Sequence, residues 1–471
     1  MALPNTHFGA EKIAAWLPSP KKIFFAGIGG VSMNSLAHIT HLRGHTVSGY
    51  DRTPSALTKQ LEALGIDIRY EADASHVADA DMLVYTVAIP ADLPEYAEAC
   101  RRGIPVVSRA DYLGYIMSGY NRRIGVSGMH GKSTTTAMLE CVFRVAGLDP
   151  TVSCGAPMKD ADNRCDRIGG EDFFIFEACE YMDSFLDFYP TDAVVLNIEM
   201  DHPDYFRDLA QIETSFKNFM ARTGADGTVY LNAGDENVML AAEGYSGRIV
   251  TFGVEHAEAD YNAVDISFDG GLPSFTIRKG GEEICRVKMQ VPGTHSVCDA
   301  VAAAAVALEC GIPPHAVEDA LAQFAGASRR MDYRGKTAAG ADVYDDYAHH
   351  PTEIDATLKA ALAMQPDRLF CVFQPHTYSR TKELFNDFAD ALAADGVCEV
   401  IVADIYTARE TDSLGVSSAL LAEAIRTRGA NCRAVSDTEA IASYLRAECR
   451  RGDTILVMGA GDISALCQKL V

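Results

Sequence analysis

The chain has 471 residues, of which 48% are hydrophobic and 23% charged, a balance typical of folded proteins that argues against wholesale disorder. Its formal net charge of -24 disfavours nucleic acid as a partner, and an anionic substrate would need a local cationic pocket. The 13 cysteines form no CxxC pairs, and no apolar run reaches the length of about 18 residues expected of a membrane span. We therefore expect a cytoplasmic protein that binds neither nucleic acid nor membranes.

Short apolar runs alternate with amphipathic, helix-like stretches along the whole chain. This alternation predicts α/β units with parallel sheets, and the length suggests about three domains. The runs are residues 22–26, 124–127, 172–177, 193–198, 369–373 and 455–458.

The alternating pattern resets twice, near residues 119–123 and near 326–330. We therefore expect three domains. They are residues 1–120, 121–327 and 328–471. Within the second domain, residues 261–291 alternate apolar and polar positions around two Gly-Gly pairs, which predicts antiparallel hairpins.

The first glycine-rich turn, Gly27–Met33, reads GIGGVSM and follows an apolar run. It is similar to a dinucleotide-binding loop, but Ser32 stands where the third glycine is expected, which disfavours NAD. The same backbone could hold the diphosphate of a nucleotide sugar, with Asp51 near the nucleoside, although Asp51 could equally be an ordinary turn residue. The predicted diphosphate contacts are Gly29, Gly30 and Val31.

The second glycine-rich turn, Gly128–Thr136, reads GMHGKSTTT and lies between an apolar strand and a helix-compatible run. Its glycines let backbone amides face phosphate oxygens, Lys132 supplies a charge for the β and γ phosphates, and Ser133 could ligate magnesium. The strict phosphate-loop spacing fails because Val126 stands where its first glycine would be. A chance lysine in a tight turn is the alternative to ATP binding. The predicted ATP contacts are Gly128, Met129, His130, Gly131, Lys132, Ser133 and Thr134.

Acidic residues and a histidine follow the next two predicted strands, in FEACEYMDSF (176–185) and LNIEMDH (196–202). Strand ends in α/β sheets carry ligand chemistry, so we predict Glu177 and His202 as magnesium ligands beside Ser133. Glu180 could orient waters instead. The alternative for this region is a solvated acidic turn that caps a helix, formed by Glu199, Asp201 and Asp204.

Two loops late in the chain offer histidine and arginine side chains. QPHTYSRT (374–381) places His376 and Arg380 where a carboxylate or phosphate could bind. DYAHHPTE (346–353) has two adjacent histidines before a proline, for which helix capping or partial burial is as good an explanation as function.

Taken together, seven segments resemble the Mur ligase family over essentially the whole chain. They occur in the family's order: GIGG at 27, GMHGKSTTT at 128, NIEMDH at 197, PGTH at 292, SRRMD at 328, DDYAHHPTE at 345 and QPHTYSRT at 374. The resemblance implies an N-terminal Rossmann-like domain for the UDP-sugar, a central ATPase domain with a mostly parallel sheet, and a C-terminal Rossmann-like domain for the amino acid. We expect a monomer or a weak homodimer.

The pattern is most similar to the L-alanine-adding members of that family. It implies that the lactyl carboxylate of UDP-N-acetylmuramate attacks the γ-phosphate of ATP, with magnesium present. The amine of L-alanine then attacks the resulting acyl phosphate. The products would be UDP-N-acetylmuramoyl-L-alanine, ADP and phosphate.

The resemblance implies roles only at positions that match the family's motifs. The phosphate and magnesium positions are Lys132, Ser133, Glu177 and His202, with Asn197 nearby. Positions near the nucleotide are His295 and Arg330. Positions facing the substrate are Asp346, Tyr347, His349, His376 and Arg380. The residues expected to act in catalysis are Lys132, His202, His349 and Arg380.

The chain departs from the family's usual motifs at several positions. Cys179 replaces an aspartate, while Ser296 and Asp299 replace asparagines. Because hydroxyl and carboxylate groups offer different donors and acceptors from an amide, the nucleotide preference stays open. Some family members carry a carbamylated lysine, and we expect Lys217 to be an ordinary surface lysine instead.

Three other functions would also use some of these motifs. A murein-recycling ligase that attaches an intact tripeptide to the same UDP-sugar would share nearly all the motifs. An NAD-dependent oxidoreductase built on the Gly27 loop is disfavoured by the Lys132 loop. A non-catalytic nucleotide-binding regulator would lack the metal ligands and the C-terminal histidine and arginine sets.

Overall fold

The computed structural model describes residues 3–161, 163–202, 205–408 and 410–471. Its strands form three separate sheets of five, ten and six strands. Helices pack on both faces of each sheet, which makes the protein α/β with three domains, as predicted.

The first sheet is entirely parallel, with strand order β3-β2-β1-β4-β5. This order places the crevice of the domain beyond the carboxyl ends of β1 and β4, where nucleotides bind in Rossmann-like folds. The strands are β1 (Lys22–Ala26), β2 (Thr46–Tyr50), β3 (Asp67–Arg69), β4 (Met82–Tyr85) and β5 (Val106–Ser108). The helices are α1 (Ala10–Trp16), α2 (Val31–Leu42), α3 (Ala56–Ala63), α4 (Pro94–Arg102) and α5 (Arg109–Met117).

Helix α1 carries Trp16, the only tryptophan of the chain. Its ring meets Phe8 edge to face, with ring centroids 5.0 Å apart, and the Lys12 ammonium lies 5.3 Å from its centroid. Trp16 packs against the core of the first sheet.

The second sheet is mostly parallel, with strand order β15-β14-β13-β12-β11-β10-β6-β9-β7-β8. The predicted hairpins are confirmed: β13, β14 and β15 pair antiparallel and extend one edge of the sheet. The strands are β6 (Arg122–Ser127), β7 (Thr151–Met158), β8 (Arg164–Arg167), β9 (Phe173–Glu177), β10 (Asp192–Val195), β11 (Thr228–Asn232), β12 (Arg248–Val254), β13 (Tyr261–Asp269), β14 (Leu272–Lys279) and β15 (Glu282–Lys288). The helices are α6 (Lys132–Val145), α7 (Leu209–Ala221), α8 (Glu236–Ala241), α9 (Thr294–Glu309) and α10 (Pro314–Gln323).

The third sheet has strand order β16-β17-β21-β18-β19-β20, and only β16 runs antiparallel to its neighbour. The strands are β16 (Asp332–Lys336), β17 (Asp342–Asp346), β18 (Leu369–Phe373), β19 (Val397–Val402), β20 (Cys432–Ala434) and β21 (Thr454–Met458). The helices are α11 (Pro351–Ala363), α12 (Tyr378–Glu383), α13 (Phe385–Leu392), α14 (Ser418–Thr427), α15 (Thr438–Glu448) and α16 (Ala465–Leu470).

Apolar strands and small-residue helices fix the position of the central loop. Strand β6 lies between β9 and β10, and residues 124–127 are buried. Helix α9 is alanine-rich and buried from Ala300 to Ala307, so its backbone can approach α6 closely. In the part of the chain that the structure describes, no helix combines the length and apolarity needed to cross a membrane.

Candidate active site

The central loop, Gly128–Gly131, connects β6 to α6. Gly128 has φ +138° and Gly131 has φ +83°, values that L side chains rarely adopt. A Cβ atom on Gly131 would lie 2.5 Å from Asp299 Oδ1, so a side chain there has no room. Helix α6 begins at Lys132 without a side-chain cap, and its first-turn amides have no described acceptor. A phosphate group fits this arrangement, because helix N-termini present free amides and a positive dipole end.

Lys132 is held at the loop by three acceptors. Its ammonium donates to Glu180 Oε2 at 3.1 Å and to the Met129 carbonyl at 3.0 Å, and it also contacts the Gly128 carbonyl. Burial would lower the pKa of Lys132, but the negative charge of Glu180 outweighs it and raises that pKa. The lysine therefore stays charged beside the position where a phosphate would bind.

Glu180 joins Lys132 to His202. Its carboxylate is buried, and its Oε1 lies 3.1 Å from His202 Nε2. Although burial opposes ionisation, Lys132 and His202 together keep the pKa of Glu180 below its usual value. The sequence suggested a water-orienting role for Glu180, whereas the structure places it as the shared partner of two predicted catalytic residues.

Asn197 fixes the shape of the central loop. It follows β10, accepts a hydrogen bond from the His130 amide at 2.8 Å and donates one to the His130 carbonyl at 3.0 Å. This paired amide contact can form only with the loop in one conformation. The structure thus gives Asn197 a positioning function that its sequence context left undefined.

Two of the three predicted magnesium ligands, Ser133 and Glu177, lie near the first turn of α6. Ser133 is buried, and its carbonyl contacts Cys154 Sγ at 3.5 Å. The same thiol lies 3.4 Å from Glu177 Oε1, which also contacts the Gly155 amide. A hydroxyl and a carboxylate suit a hard cation such as magnesium, so Ser133 and Glu177 fit the predicted site. His202 reaches this group through Glu180 and Lys132.

A cavity of about 270 Å³ opens beside α6, between the second and third sheets. The sequence-predicted nucleotide residues His295 and Arg330 line it, together with His130 and Thr134. Burial and the Arg330 charge lower the pKa of His295 to about 4, so this ring is neutral. The cavity adjoins the central loop and the first turn of α6, since Gly131 and Thr134 also line it.

Ser296 and Asp299, the two departures from the family's asparagines, also line this cavity. Ser296 donates to the Pro292 carbonyl at 2.8 Å. Burial raises the pKa of Asp299 to about 7, which leaves its carboxyl partly protonated near neutral pH. A protonated carboxyl, like an amide, offers both a donor and an acceptor, although the amide has a second donor hydrogen.

An interdomain cluster lies between the central loop and α11. It consists of His130, Glu199, His350, Thr352 and Glu353. His130 contacts Glu199, and its Nδ1 lies 3.1 Å from Glu353 Oε1. The Thr352 hydroxyl donates to Glu199 Oε2 at 2.7 Å. The predicted ATP contact His130 therefore points its side chain at two carboxylates.

Ligand atoms of His130, Glu199 and His350 lie within 4.8 Å of one another, close enough to hold a metal ion. Burial would lower the pKa of His130, but Glu353 and Glu199 raise it to about 9. In the described chain these groups form ion pairs that join two domains.

Asp201 and Arg380 form a second link between these domains. Arg380 Nη2 donates to Asp201 Oδ1 at 2.8 Å, and both side chains are buried. The alternative of a solvated acidic turn is therefore wrong for Asp201, and Glu199 is likewise engaged in the interdomain cluster. Asp204 lies outside the described residues.

The remaining predicted residues lie on the face of the third sheet that meets the second. Tyr347 lies under Arg329 and Arg330, whose guanidinium carbons are 4.9 and 5.4 Å from its ring centroid. His349 Nδ1 lies 3.0 Å from the Tyr347 carbonyl, and its ring centroid is 5.9 Å from that of His376. Burial lowers the pKa of His376 to about 4, and its Nδ1 has no hydrogen-bond partner within the described chain.

Asp346 differs from its neighbours because its oxygens are already used. It accepts hydrogen bonds from the Met331 amide at 2.7 Å and the Ala348 amide at 2.8 Å. Burial raises its pKa to about 6. Asp346 lines the nucleotide cavity, yet the described contacts position the backbone around Arg330.

The N-terminal loop, Gly27–Gly30, has two of its predicted amides engaged within the chain. The Gly29 amide donates to Asp51 Oδ2 at 2.8 Å, and the Gly30 amide donates to the Gly27 carbonyl at 3.2 Å. Of the three predicted diphosphate contacts, only Val31 keeps an amide without a described acceptor. Asp51 thus fixes the conformation of the loop.

Lys217, the lysine considered for carbamylation, is exposed, and its ammonium donates to the Glu243 carbonyl.

Comparison with known families matches three consecutive models to the chain. These are the Mur ligase family catalytic domain at residues 22–121, the Mur ligase middle domain at 126–307, and the Mur ligase glutamate ligase domain at 329–461.

Individual relatives cover nearly the full chain. UDP-N-acetylmuramate–L-alanine ligase of Clostridium novyi is 42% identical over 444 residues, which span 94% of this chain and 95% of the relative. The crystal structure of UDP-N-acetylmuramate-alanine ligase from Thermotoga maritima superposes with a TM-score of 0.81 at 26% identity, covering 96% of this chain and 98% of that one. A murein peptide ligase from Psychrobacter arcticus superposes with a TM-score of 0.71 at 24% identity over 96% and 98% of the two chains, which shows the shared fold alone.

Proposed function

The chain belongs to the Mur ligase family, and from this premise we propose that it joins L-alanine to the lactyl carboxylate of UDP-N-acetylmuramate with ATP and magnesium. The products are UDP-N-acetylmuramoyl-L-alanine, ADP and phosphate. This reaction makes a precursor of peptidoglycan, and its place is the cytoplasm. The 42% identity to the Clostridium novyi ligase supports the choice of substrates.

The observation that carries the proposal is the chain of contacts from Lys132 through Glu180 to His202, beside a cavity of about 270 Å³. A nucleotide-binding regulator needs the loop but gains nothing from a buried carboxylate that holds the lysine in place. A transferring phosphate does need a fixed cation, because charge stabilisation acts through groups that are already oriented.

In the first step the substrate carboxylate attacks the γ-phosphate of ATP. A carboxylate is a poor electrophile until one of its oxygens becomes part of a phosphate leaving group. Glu180 holds the Lys132 ammonium at the loop, where it can also donate to the phosphate oxygens. Ser133 and Glu177 would hold a magnesium ion, with His202 nearby, and such an ion would supply Lewis-acid neutralisation of the phosphate charge.

In the second step the amine of L-alanine attacks the acyl phosphate and phosphate leaves. We assign the amine site to the face formed by Tyr347, His349, His376 and Arg380. His376 is neutral and has a free ring nitrogen, so it can accept a hydrogen bond from the amine. The buried Arg380–Asp201 pair fixes this face against the second domain.

The main alternative is a ligase that adds an intact tripeptide to the same UDP-sugar. It is less supported, because relatives that are 42% and 41% identical over 94% and 96% of this chain are named UDP-N-acetylmuramate–L-alanine ligases. The pocket around Tyr347 and His376 decides between the two substrates. The oligomeric state stays a prediction of a monomer or a weak homodimer.

The test is phosphate release from ATP in the presence of magnesium and UDP-N-acetylmuramate, with different amines compared. We expect release only when both the sugar nucleotide and L-alanine are present. Release with the L-alanyl tripeptide but not with L-alanine would make the protein a recycling ligase. Absence of release with every amine would favour the regulator, and product mass would identify the amide formed.

A further inference from the structure

Arg109 is a cation without a carboxylate partner in the first domain. It is the first residue of α5, and its guanidinium makes one described hydrogen bond, to Ser32 Oγ at 3.1 Å. Within residues 3–161 and the other described ranges, it forms no ion pair. Burial lowers its pKa, an effect that the nearby Cys179 and Asp187 only partly offset. The side chain is half-buried, and a guanidinium whose one described partner is a hydroxyl can pair with an anion that a ligand supplies.

The residue that anchors Arg109 lies in the first turn of α2, at the N-terminal loop. The amides of Val31, Ser32 and Met33 have no acceptor among the described residues, and Gly30, which precedes them, provides no side-chain cap. These amides and the Arg109 guanidinium are therefore joined through one residue, Ser32. Free helix amides beside an arginine form a phosphate site with both a dipole and a charge.

We propose that Arg109 binds the diphosphate of the nucleotide-sugar substrate, together with the α2 amides and the Ser32 hydroxyl. This inference rests on the proposed function and adds residues that the glycine motif does not contain. The chain carries a net charge of -24, so an anionic substrate needs a local cation. Arg109 is such a cation beside the N-terminal loop.

The proposal also explains why serine stands at position 32. In dinucleotide-binding loops the third glycine allows close packing of helix and strand. Here the Ser32 hydroxyl accepts a hydrogen bond from Arg109 and orients the guanidinium. The departure that argues against NAD thus becomes part of a site for a different diphosphate.

The test compares the whole protein with its Arg109→Met and Arg109→Lys variants by titration calorimetry. The ligands are UDP-N-acetylmuramate, UDP and uridine. For Arg109→Met we expect the affinity for both diphosphates to fall roughly 10- to 100-fold, the usual effect of losing a charged hydrogen bond. Arg109→Lys should retain part of it, and uridine binding and the KM for ATP should stay within about 2-fold.

Arg43→Met is the matched control, because Arg43 lies in the same domain and donates to the Ile116 carbonyl. It should leave UDP binding unchanged, and thermal unfolding should show that all variants fold. Unchanged UDP binding in Arg109→Met, or equal loss for uridine and UDP, would overturn the role of Arg109 alone. Failure of the unsubstituted protein to bind either diphosphate would overturn the substrate assignment itself.

Discussion

The N-terminal loop and the central loop have the same strand–loop–helix arrangement, but the cation beside each loop is supplied by a different part of the sequence. Each follows a strand inside its sheet and opens a helix whose first amides are free. Each is pinned by a residue that follows the neighbouring strand, Asp51 in one case and Asn197 in the other. The central loop is followed directly by its cation, Lys132, which pairs with Glu180. The cation beside the N-terminal loop is Arg109, which is far away in the sequence and has no described carboxylate partner.

This difference follows from what happens to each phosphate in the proposed reaction. The diphosphate of the sugar nucleotide is only bound, so a cation that pairs with it directly is sufficient. The γ-phosphate is transferred, so its cation has to stay in one position as charge moves, and a buried carboxylate provides that restraint. Substitutions at the central loop should therefore change kcat, while those at the N-terminal loop should change substrate affinity.

Replacing Lys132 with alanine should have the largest effect. The change removes the ammonium proposed to face the transferring phosphate, and we expect kcat to fall by at least about 10³-fold. Circular dichroism should show an intact fold, and UDP-N-acetylmuramate should bind as before. Lys217→Ala is the matched control, since that exposed lysine contacts only a backbone carbonyl. Substantial turnover by Lys132→Ala would contradict the proposed site.

Glu180→Gln should have the next largest effect. The amide keeps the shape of the side chain but removes the charge that raises the pKa of Lys132. We expect kcat to fall on the order of 10²-fold, with a smaller change in the KM for the sugar nucleotide. Steady-state kinetics beside Glu243→Gln, an exposed glutamate, would measure it. A selective rise in the KM for UDP-N-acetylmuramate would break the distinction between the two loops.

Gly131→Ala tests whether the central loop needs a residue without a side chain at this position. A methyl group at φ +83° and 2.5 Å from Asp299 Oδ1 cannot be accommodated without movement of the loop. We expect a loss of roughly 1–3 kcal/mol in unfolding free energy and weaker ATP binding, measured by chemical denaturation and nucleotide titration. Gly147→Ala is the control, because it has a similar positive φ of +77° and open space around it. Equal effects at both glycines would assign the cost to backbone strain alone.

The smallest effect concerns pH, and it is specific to the central loop. The folded pKa of His130 is about 9 and its ordinary value is 6.5, so the folded state binds the extra proton between these values. Its stabilising contribution is therefore complete below about pH 6.5 and is lost as pH rises through 9. The shift from 6.5 to about 9 corresponds to at most about 3 kcal/mol of unfolding free energy, and His130→Gln should remove this dependence when unfolding free energy is measured against pH. An unchanged slope would show that the interdomain cluster contributes nothing there.

The sequence predicted those features that depend on local pattern. The strands at residues 22–26 and 369–373 and the hairpins at 261–291 are confirmed because alternation and glycine turns are short-range signals. The sequence also predicted both glycine-rich loops, because the spacing of their glycines, and of the lysine in the second, involves only a few neighbouring residues. Their predicted ligand roles remain proposals.

The sequence could not predict contacts between residues that are far apart in the chain. Asp201 and Arg380 are 179 positions apart, and a string of acidic residues at 199–204 looks the same whether it is solvated or paired. The positioning function of Asn197 depends on the neighbouring places of β6 and β10 in the sheet. The engagement of Glu180 by two cations likewise appears only in three dimensions.

Trp16 gives the molecule a built-in optical reporter of its first domain. Because the chain has no other tryptophan, selectively excited emission arises from α1 and its contacts with Phe8 and Lys12. Far-ultraviolet circular dichroism, in contrast, averages over the helices and strands of all three sheets. If emission changes at a lower denaturant concentration than ellipticity, the first domain unfolds separately, and a bound sugar nucleotide should bring the two transitions together.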